Sequence, residues 1–334
     1  MRDWRPTGLF AREGTARDGV FALVLAAVVC AALAATAPAF VGLYWLRILT
    51  SICMFVVITQ SINIMAGFVG YPAFGNVVFF GMGAYGTAVA MVKFQWPSPA
   101  ALAAGLVVCA LVVLIIGPPI LRLRGHYFAI ATLGLNETMK AIVVNLTDLT
   151  GGGMGVSLPI PRETVEVSGR NFYWMFLALA FAGIMITALM RTTRFGYACR
   201  AILANEEGAE SLGINTTFYK TAAWLISALM AGLAGGIYAL WIGYIDTPSV
   251  FDMTIAVKGF VMFLVGGAGT VLGPLIGASL VELATNLTWS HLLKYHLAVL
   301  GIIIMTAAVL IPRRIPQHLM ERLRRALALR RMKT

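Results

Sequence analysis

The residues of this chain that could do chemistry are few and widely spread. His126, His291, His296 and His318 form no HExxH pattern, the spacing that puts two imidazoles on one helix face around a zinc ion. Cys30, Cys53, Cys109 and Cys199 make no CxxC pair and read as small apolar side chains. No GxxxxGK[ST] loop exists to cradle phosphates, so any ATP-driven work must belong to another chain. Without a nucleophile placed beside a base, the chain reads as a non-enzyme that binds no cofactor and no metal itself. Two carboxylates, Glu137 and Glu282, stand inside apolar runs. Such groups serve ion coupling in secondary transporters, or they cap broken helices or pair with Lys140 or another basic residue. Asn63, Asn76, Asn136 and Asn286 add uncharged polar groups at similar depth.

The elements that must position these residues follow from composition. With 60% hydrophobic and 12% charged residues over 334 positions, the chain lies far from the roughly 25% charged make-up of soluble domains. Its apolar runs, near 19–37, 44–65, 72–92, 99–121, 126–146, 172–190, 218–243, 254–268, 271–289 and 292–312, are each long enough to be a span of about 20 residues or part of one. Helices are expected because an open sheet edge cannot be satisfied in lipid. The predicted fold is therefore an all-α, polytopic transmembrane bundle of about eight to ten spans. The first run is long for a signal peptide and reads as a retained anchor. The +11 net charge flanks apolar segments instead of interleaving with aromatics, which argues against nucleic acid. Most Lys and Arg fall in 1–18, 122–125, 191–217 and 313–334, so the positive-inside rule puts both termini in the cytoplasm. The chain thus divides into a cytoplasmic segment 1–18, a transmembrane domain 19–312 and a basic cytoplasmic tail 313–334. The tail can form an amphipathic helix on membrane lipid, or serve only as a topology signal.

Two segments depart from plain apolar helix. Residues 67–86 and 259–277 each carry six glycines and one proline, which suggests paired discontinuous helices around a pathway or close packing through small residues. Residues 147–171 read as a turn-rich external loop. Residues 191–217 read as an internal helical hairpin, with Gly213 at a helix C-terminus. Its acids, Glu206, Glu207 and Glu210, suit a protein partner better than an anionic leaflet.

The motifs Leu121-Arg-Leu-Arg-Gly-His-Tyr-Phe-Ala-Ile-Ala-Thr-Leu-Gly134, Leu149-Thr-Gly-Gly-Gly-Met-Gly155, Gly196-Tyr-Ala-Cys-Arg-Ala-Ile202, Asn205-Glu-Glu-Gly-Ala-Glu-Ser-Leu-Gly-Ile214 and Gly266-Gly-Ala-Gly-Thr-Val-Leu-Gly-Pro274, taken in order, resemble the LivM-type permease of branched-chain amino acid ABC importers. The resemblance runs from about residue 45 to 312. It implies a bacterial inner-membrane subunit with a second, LivH-like permease, two cytoplasmic ATP-binding subunits that hydrolyse ATP, and a periplasmic solute-binding protein. It also implies that 196–214 couples to an ATPase, with Arg200, Asn205, Glu206, Glu207 and Gly213 as coupling residues. The pathway candidates are Asn63, Asn76, Tyr85, Glu137, Gly266, Gly267 and Gly269. Asn76 stands where the family commonly has histidine, and Tyr197 and Leu203 where arginines are frequent. The solute expected first is a branched-chain or other hydrophobic amino acid; urea or a short amide is the alternative. A stand-alone secondary transporter or channel using Glu137 and Glu282 is the reading from another class.

Overall fold

A computed structural model describes residues 42–159 and 164–291. The expected first and last spans, the N-terminal segment 1–18 and the basic tail lie outside the described residues. Each of the eight remaining apolar runs is a helix. In chain order these are α1 Leu43–Ile62, prolonged by a π-helical stretch Asn63–Val69, α2 Asn76–Lys93, α3 Ser98–Ile120, α4 His126–Asn145 and α5 Val165–Thr192. Two short helices follow, α6 Arg194–Ala204 and α7 Glu206–Ser211, and then α8 Thr216–Ile242, α9 Met253–Gly266 and α10 Gly273–His291. The stretches Leu43–Val69, Ser98–Ile120, Val165–Thr192, Thr216–Ile242 and Thr247–Gly266 are long and apolar enough to cross a membrane. The fold is an all-α membrane bundle.

Helix α1 is the axis of the bundle, with 94% of its most apolar window buried. It is flanked by α5, α10, α8 and α9. On one side α2, α3 and α8 form a tight three-helix layer. Glycine makes this approach possible: a Cβ on Gly83 would lie 2.0 Å from the Gly232 carbonyl oxygen, and one on Gly86 would lie 2.8 Å from the Gly105 Cα. Small residues at a helix crossing are how membrane helices gain van der Waals contact when lipid offers no hydrophobic drive. Gly81, Gly83 and Gly86 therefore sit inside a continuous helix, and the break in the first glycine-rich segment is confined to 70–75. In the second segment the break spans 267–272, between α9 and α10.

At one end of the bundle the loops carry short turns and a two-residue antiparallel ladder, Val156 opposite Ile245 and Ser157 opposite Tyr244. Tyr244 Oη donates to the Met154 carbonyl at 2.8 Å. At the other end the two helix breaks, the α3–α4 loop and the α6–α7 hairpin meet. Two of these segments, 122–125 and 191–217, are among those that charge counting assigns to one side.

Candidate functional site

The hairpin is built by local capping. Thr193 Oγ1 accepts from the Gly196 N–H at the start of α6, and Asn205 Oδ1 accepts from the Gly208 N–H at the start of α7, each satisfying a donor that the first helical turn leaves free. Helix α7 ends in a Schellman pair: the Gly213 N–H donates to the Glu210 carbonyl and the Ile214 N–H to the Ala209 carbonyl. Gly213 has φ +80°, the left-handed conformation this motif requires and glycine adopts freely.

The hairpin is then tied to the bundle by charge. Lys220, in the second turn of α8 and 4% exposed, places Nζ 2.6 Å from Glu206 Oε1, 3.3 Å from Tyr71 Oη and 3.2 Å from the Leu121 carbonyl oxygen. Tyr71 Oη donates to Glu206 Oε2 at 2.7 Å. Arg124 lies 3.6 Å from Glu206 and donates to Glu207 at 3.0 Å. Burial alone would push the Glu206 carboxyl up, but the hydrogen bonds from Lys220 and Tyr71 and the charges of Lys220 and Arg124 outweigh it and hold Glu206 below the usual carboxylate range. The Tyr71 phenol is pushed up, first by burial and then by its bond to the Glu206 carboxylate.

The five coupling residues thus divide. Glu207 faces outward, with 78% of its side chain exposed, whereas Glu206 turns inward with 13%. Arg200 donates to the Arg191 carbonyl at 3.0 Å and lies over the Tyr197 ring, so it braces α6 against the end of α5. Asn205 and Gly213 are caps. The outer face of the hairpin also exposes Tyr197 and Leu212, 60% and 81%. Tyr71, Arg124 and Lys220 were not singled out from the sequence as site residues; Lys220 reads there only as a basic residue next to a span.

The pathway candidates divide as well. Asn63 is fully buried: its Oδ1 accepts from the Gly269 N–H and its Nδ2 donates to the Thr270 carbonyl, both at 2.9 Å. It staples the first helix break to the second. Gly266, Gly267 and Gly269 belong to that stapled turn, where Gly267 and Gly269 have φ +96° and +71°. Asn76 donates to Ser61 and Ser227 inside the core, and Tyr85 bonds Thr247 Oγ1 at 2.9 Å. Both are almost wholly buried, and Tyr85 borders an apolar cavity together with Met82, Gly86, Val89 and Val108. Glu282 is also sealed: it contacts Lys258 at 2.5 Å, accepts from Ser51 and Asn286, and is 4% exposed.

Glu137 differs from all of these. It lies near the middle of α4 with 64% of its side chain exposed, 3.9 Å from a partly exposed Lys140. Tyr127 and Ile130 lead to it along the helix, 74% and 65% exposed. Helix α4 is not among the stretches apolar enough to cross a membrane by themselves, and a charged pair on its exposed face suits a protein partner or water better than hydrocarbon.

The bundle and this arrangement define a multi-pass α-helical membrane permease with an anchored hairpin at one end. The chain belongs to the family described as "branched-chain amino acid transport system / permease component", whose profile matches residues 44–308. Among similar proteins, the high-affinity branched-chain amino acid transport system permease protein LivM of Salmonella typhimurium is 28% identical over 72% of this chain and 62% of its own length. The LivH permease of Escherichia coli is 28% identical over 52% of this chain and 61% of its own length. The autoinducer 2 import system permease protein LsrC of Yersinia enterocolitica is 31% identical over 48% of this chain and 44% of its own length. The chain thus aligns with about three fifths of the length of its LivM and LivH relatives. No solved structure matches it.

Proposed function

We propose that the chain is one permease half of an ATP-driven importer in the bacterial inner membrane, moving a branched-chain or other hydrophobic amino acid. A second, LivH-like permease faces α4, and solute delivered by a periplasmic binding protein passes between the two. Two cytoplasmic ATP-binding subunits supply the energy and hold the nucleotide, which this chain does not bind. One of them docks on the outer face of the α6–α7 hairpin, around Tyr197, Glu207 and Leu212. The hairpin end is then cytoplasmic, with both termini on that side, and the connection between α4 and α5 is periplasmic.

The observation that carries this reading is the exposed Glu137–Lys140 pair halfway along α4. It supports a water-accessible boundary with another chain. Membership of the permease family supplies the transport class. The hairpin supplies a rigid docking element, since its caps and its bonds to α8 fix its orientation. The secondary-transporter reading has no such support, because Glu282 and Glu137 are each matched by a lysine.

ATP closure of the ATPase dimer would move the hairpins and alternate the access of the passage, a rigid-body switch. The test is reconstitution: the chain, its neighbouring permease and ATPase chains and the binding protein in liposomes, assayed with radiolabelled leucine. ATP-dependent uptake that requires the binding protein is expected. Uptake driven by an ion gradient without ATPase chains would contradict the proposal.

A further inference from the structure

Lys220 is a buried cation whose partners come from three other parts of the fold. Glu206 belongs to the hairpin, Tyr71 to the break between α1 and α2, and the Leu121 carbonyl to the C-terminus of α3. An ammonium has three N–H donors, and each finds an acceptor on a different element. The stem of Lys220 belongs to α8, which is locked onto α2 by the Gly83–Gly232 and Phe80–Gly235 approaches. Tyr71 is in turn only a few residues from Asn63, which staples the first break to the α9–α10 turn. A packing contact runs parallel: a Cβ on Gly70 would come within 2.5 Å of Leu203 Cδ1 on α6. The hairpin thus reaches the bundle through the Lys220 ammonium, through Tyr71 and Arg124 on the same carboxylate, and through packing of Cys199, Ile202 and Ala209 into the core.

Physical chemistry makes the ammonium more than a fastening. If the hairpin moved and took Glu206 with it, Lys220 would remain as an uncompensated charge in a buried site, a heavily penalised state. The lower-energy response is for α8, the end of α3 and the Tyr71 segment to follow the carboxylate. Glu207, one residue along, carries no such constraint, because its partner Arg124 is half exposed.

We propose that Lys220 is the joint through which the hairpin moves the bundle: a positioning residue that converts hairpin displacement into movement of α8, α3 and the first helix break, without itself touching an ATPase. This rests on the importer reading above and adds the route of coupling to it. Adjacent carboxylates thus have separate duties, Glu206 binding inward to the joint and Glu207 facing the partner.

The experiment uses the complete importer, with its ATPase chains and binding protein, in nanodiscs for distances and in liposomes for uptake, and leucine as the probe. Spin labels go on Ser211→Cys in the hairpin and on Leu123→Cys in the α3–α4 loop. In the otherwise unaltered complex the distance between Ser211→Cys and a third label site in the ATPase stays fixed on adding ATP and vanadate, and so does the distance between the hairpin and loop labels. In Lys220→Met the ATPase chains still co-purify, but hairpin and loop move independently, and leucine transported per ATP hydrolysed falls by about tenfold or more, the scale of a typical coupling energy. Lys220→Arg restores part of the ratio. Glu206→Gln, which removes the charge and keeps one of the two accepting oxygens, gives an intermediate value and guards against a misfolded Lys220→Met. Unchanged transport per ATP in both Lys220→Met and Glu206→Gln overturns the proposal, as does loss of ATPase co-purification in Glu206→Gln. If the unaltered chain binds no ATPase at all, the importer reading fails instead, and the two failures are told apart.

Discussion

Helices α3 and α4 are consecutive and similar in length, and each leaves a broad face outside the bundle, yet the two faces are chemically opposite. Helix α3 buries a stripe of small and medium side chains, Ala101, Gly105, Cys109, Val113 and Gly117, and turns Val107, Leu111, Leu114 and Ile115 outward, all more than half exposed. That face suits acyl chains. Helix α4 buries Phe128, Thr132, Leu135, Asn136, Met139 and Val143 and turns Glu137 and Lys140 outward near its middle. Exposure alone therefore does not identify a lipid surface. The charge on the exposed face decides what covers it, because the bilayer centre tolerates leucine and rejects an ion pair.

The sharpest challenge to this contrast comes from a third mid-span site. Glu282 sits among α1, α9 and α10 with its charge matched by Lys258. Glu282→Ala should destabilise the purified protein by about 3–5 kcal/mol, the cost of leaving a buried lysine unpaired, read from thermal or denaturant unfolding in detergent. A loss as small as that expected for Glu137 would mean the two pairs share one environment. Next in size, Leu111→Arg should disfavour membrane insertion of α3 by about 2.5–3.5 kcal/mol, measured with a glycosylation-tagged insertion reporter, whereas Ala141→Arg on the α4 face should insert normally in the assembled permease pair. Equal penalties would dissolve the distinction between the faces.

A smaller effect concerns pH at the hairpin. Glu206 is held below the usual carboxylate range when folded, so its contribution is complete above the ordinary pKa of about 4.3 and is lost as pH falls through the lowered folded value. A fluorophore on Ser211→Cys should report a fixed hairpin from neutral pH down to about pH 4 and release only in stronger acid, and Glu206→Gln should abolish that transition. Smallest of all, Glu137→Gln should change stability by less than about 1 kcal/mol, as for exposed pairs, while lowering transport.

Much of the fold was legible from periodicity and composition. The run at 126–146 is helix His126–Asn145, and the run at 218–243 is Thr216–Ile242. The run at 172–190 fell short because α5 begins at Val165, where polar residues continue the helix beyond the apolar stretch. The run starting at 72 began early because Tyr71 and Pro72 belong to a break that the apolar count does not see. The site was legible only in part. The sequence marks Glu206 and Glu207 alike, and their opposite orientations are set by Lys220, Tyr71 and Arg124, partners up to 135 residues away. Asn63 looked like a pathway residue because an asparagine in an apolar run suggests function. Its partners lie 206 and 207 residues on, so the tie it makes between the two helix breaks could not be read from its own segment. The exposure of Glu137 was not legible either, because which face of a helix the fold leaves uncovered cannot be read from one sequence.

The most direct test is a cysteine scan of the two exposed faces in the assembled permease pair. Single cysteines at Glu137, Ala141, Leu111 and Ile115, in a chain whose native cysteines are replaced, are treated with a small membrane-impermeant thiol reagent. Glu137→Cys and Ala141→Cys should react, at rates that change with the ATP state, while Leu111→Cys and Ile115→Cys stay inert in every state. Equal inertness on α4, or reaction on α3 matching that on α4, would contradict the assignment of α4 to the passage.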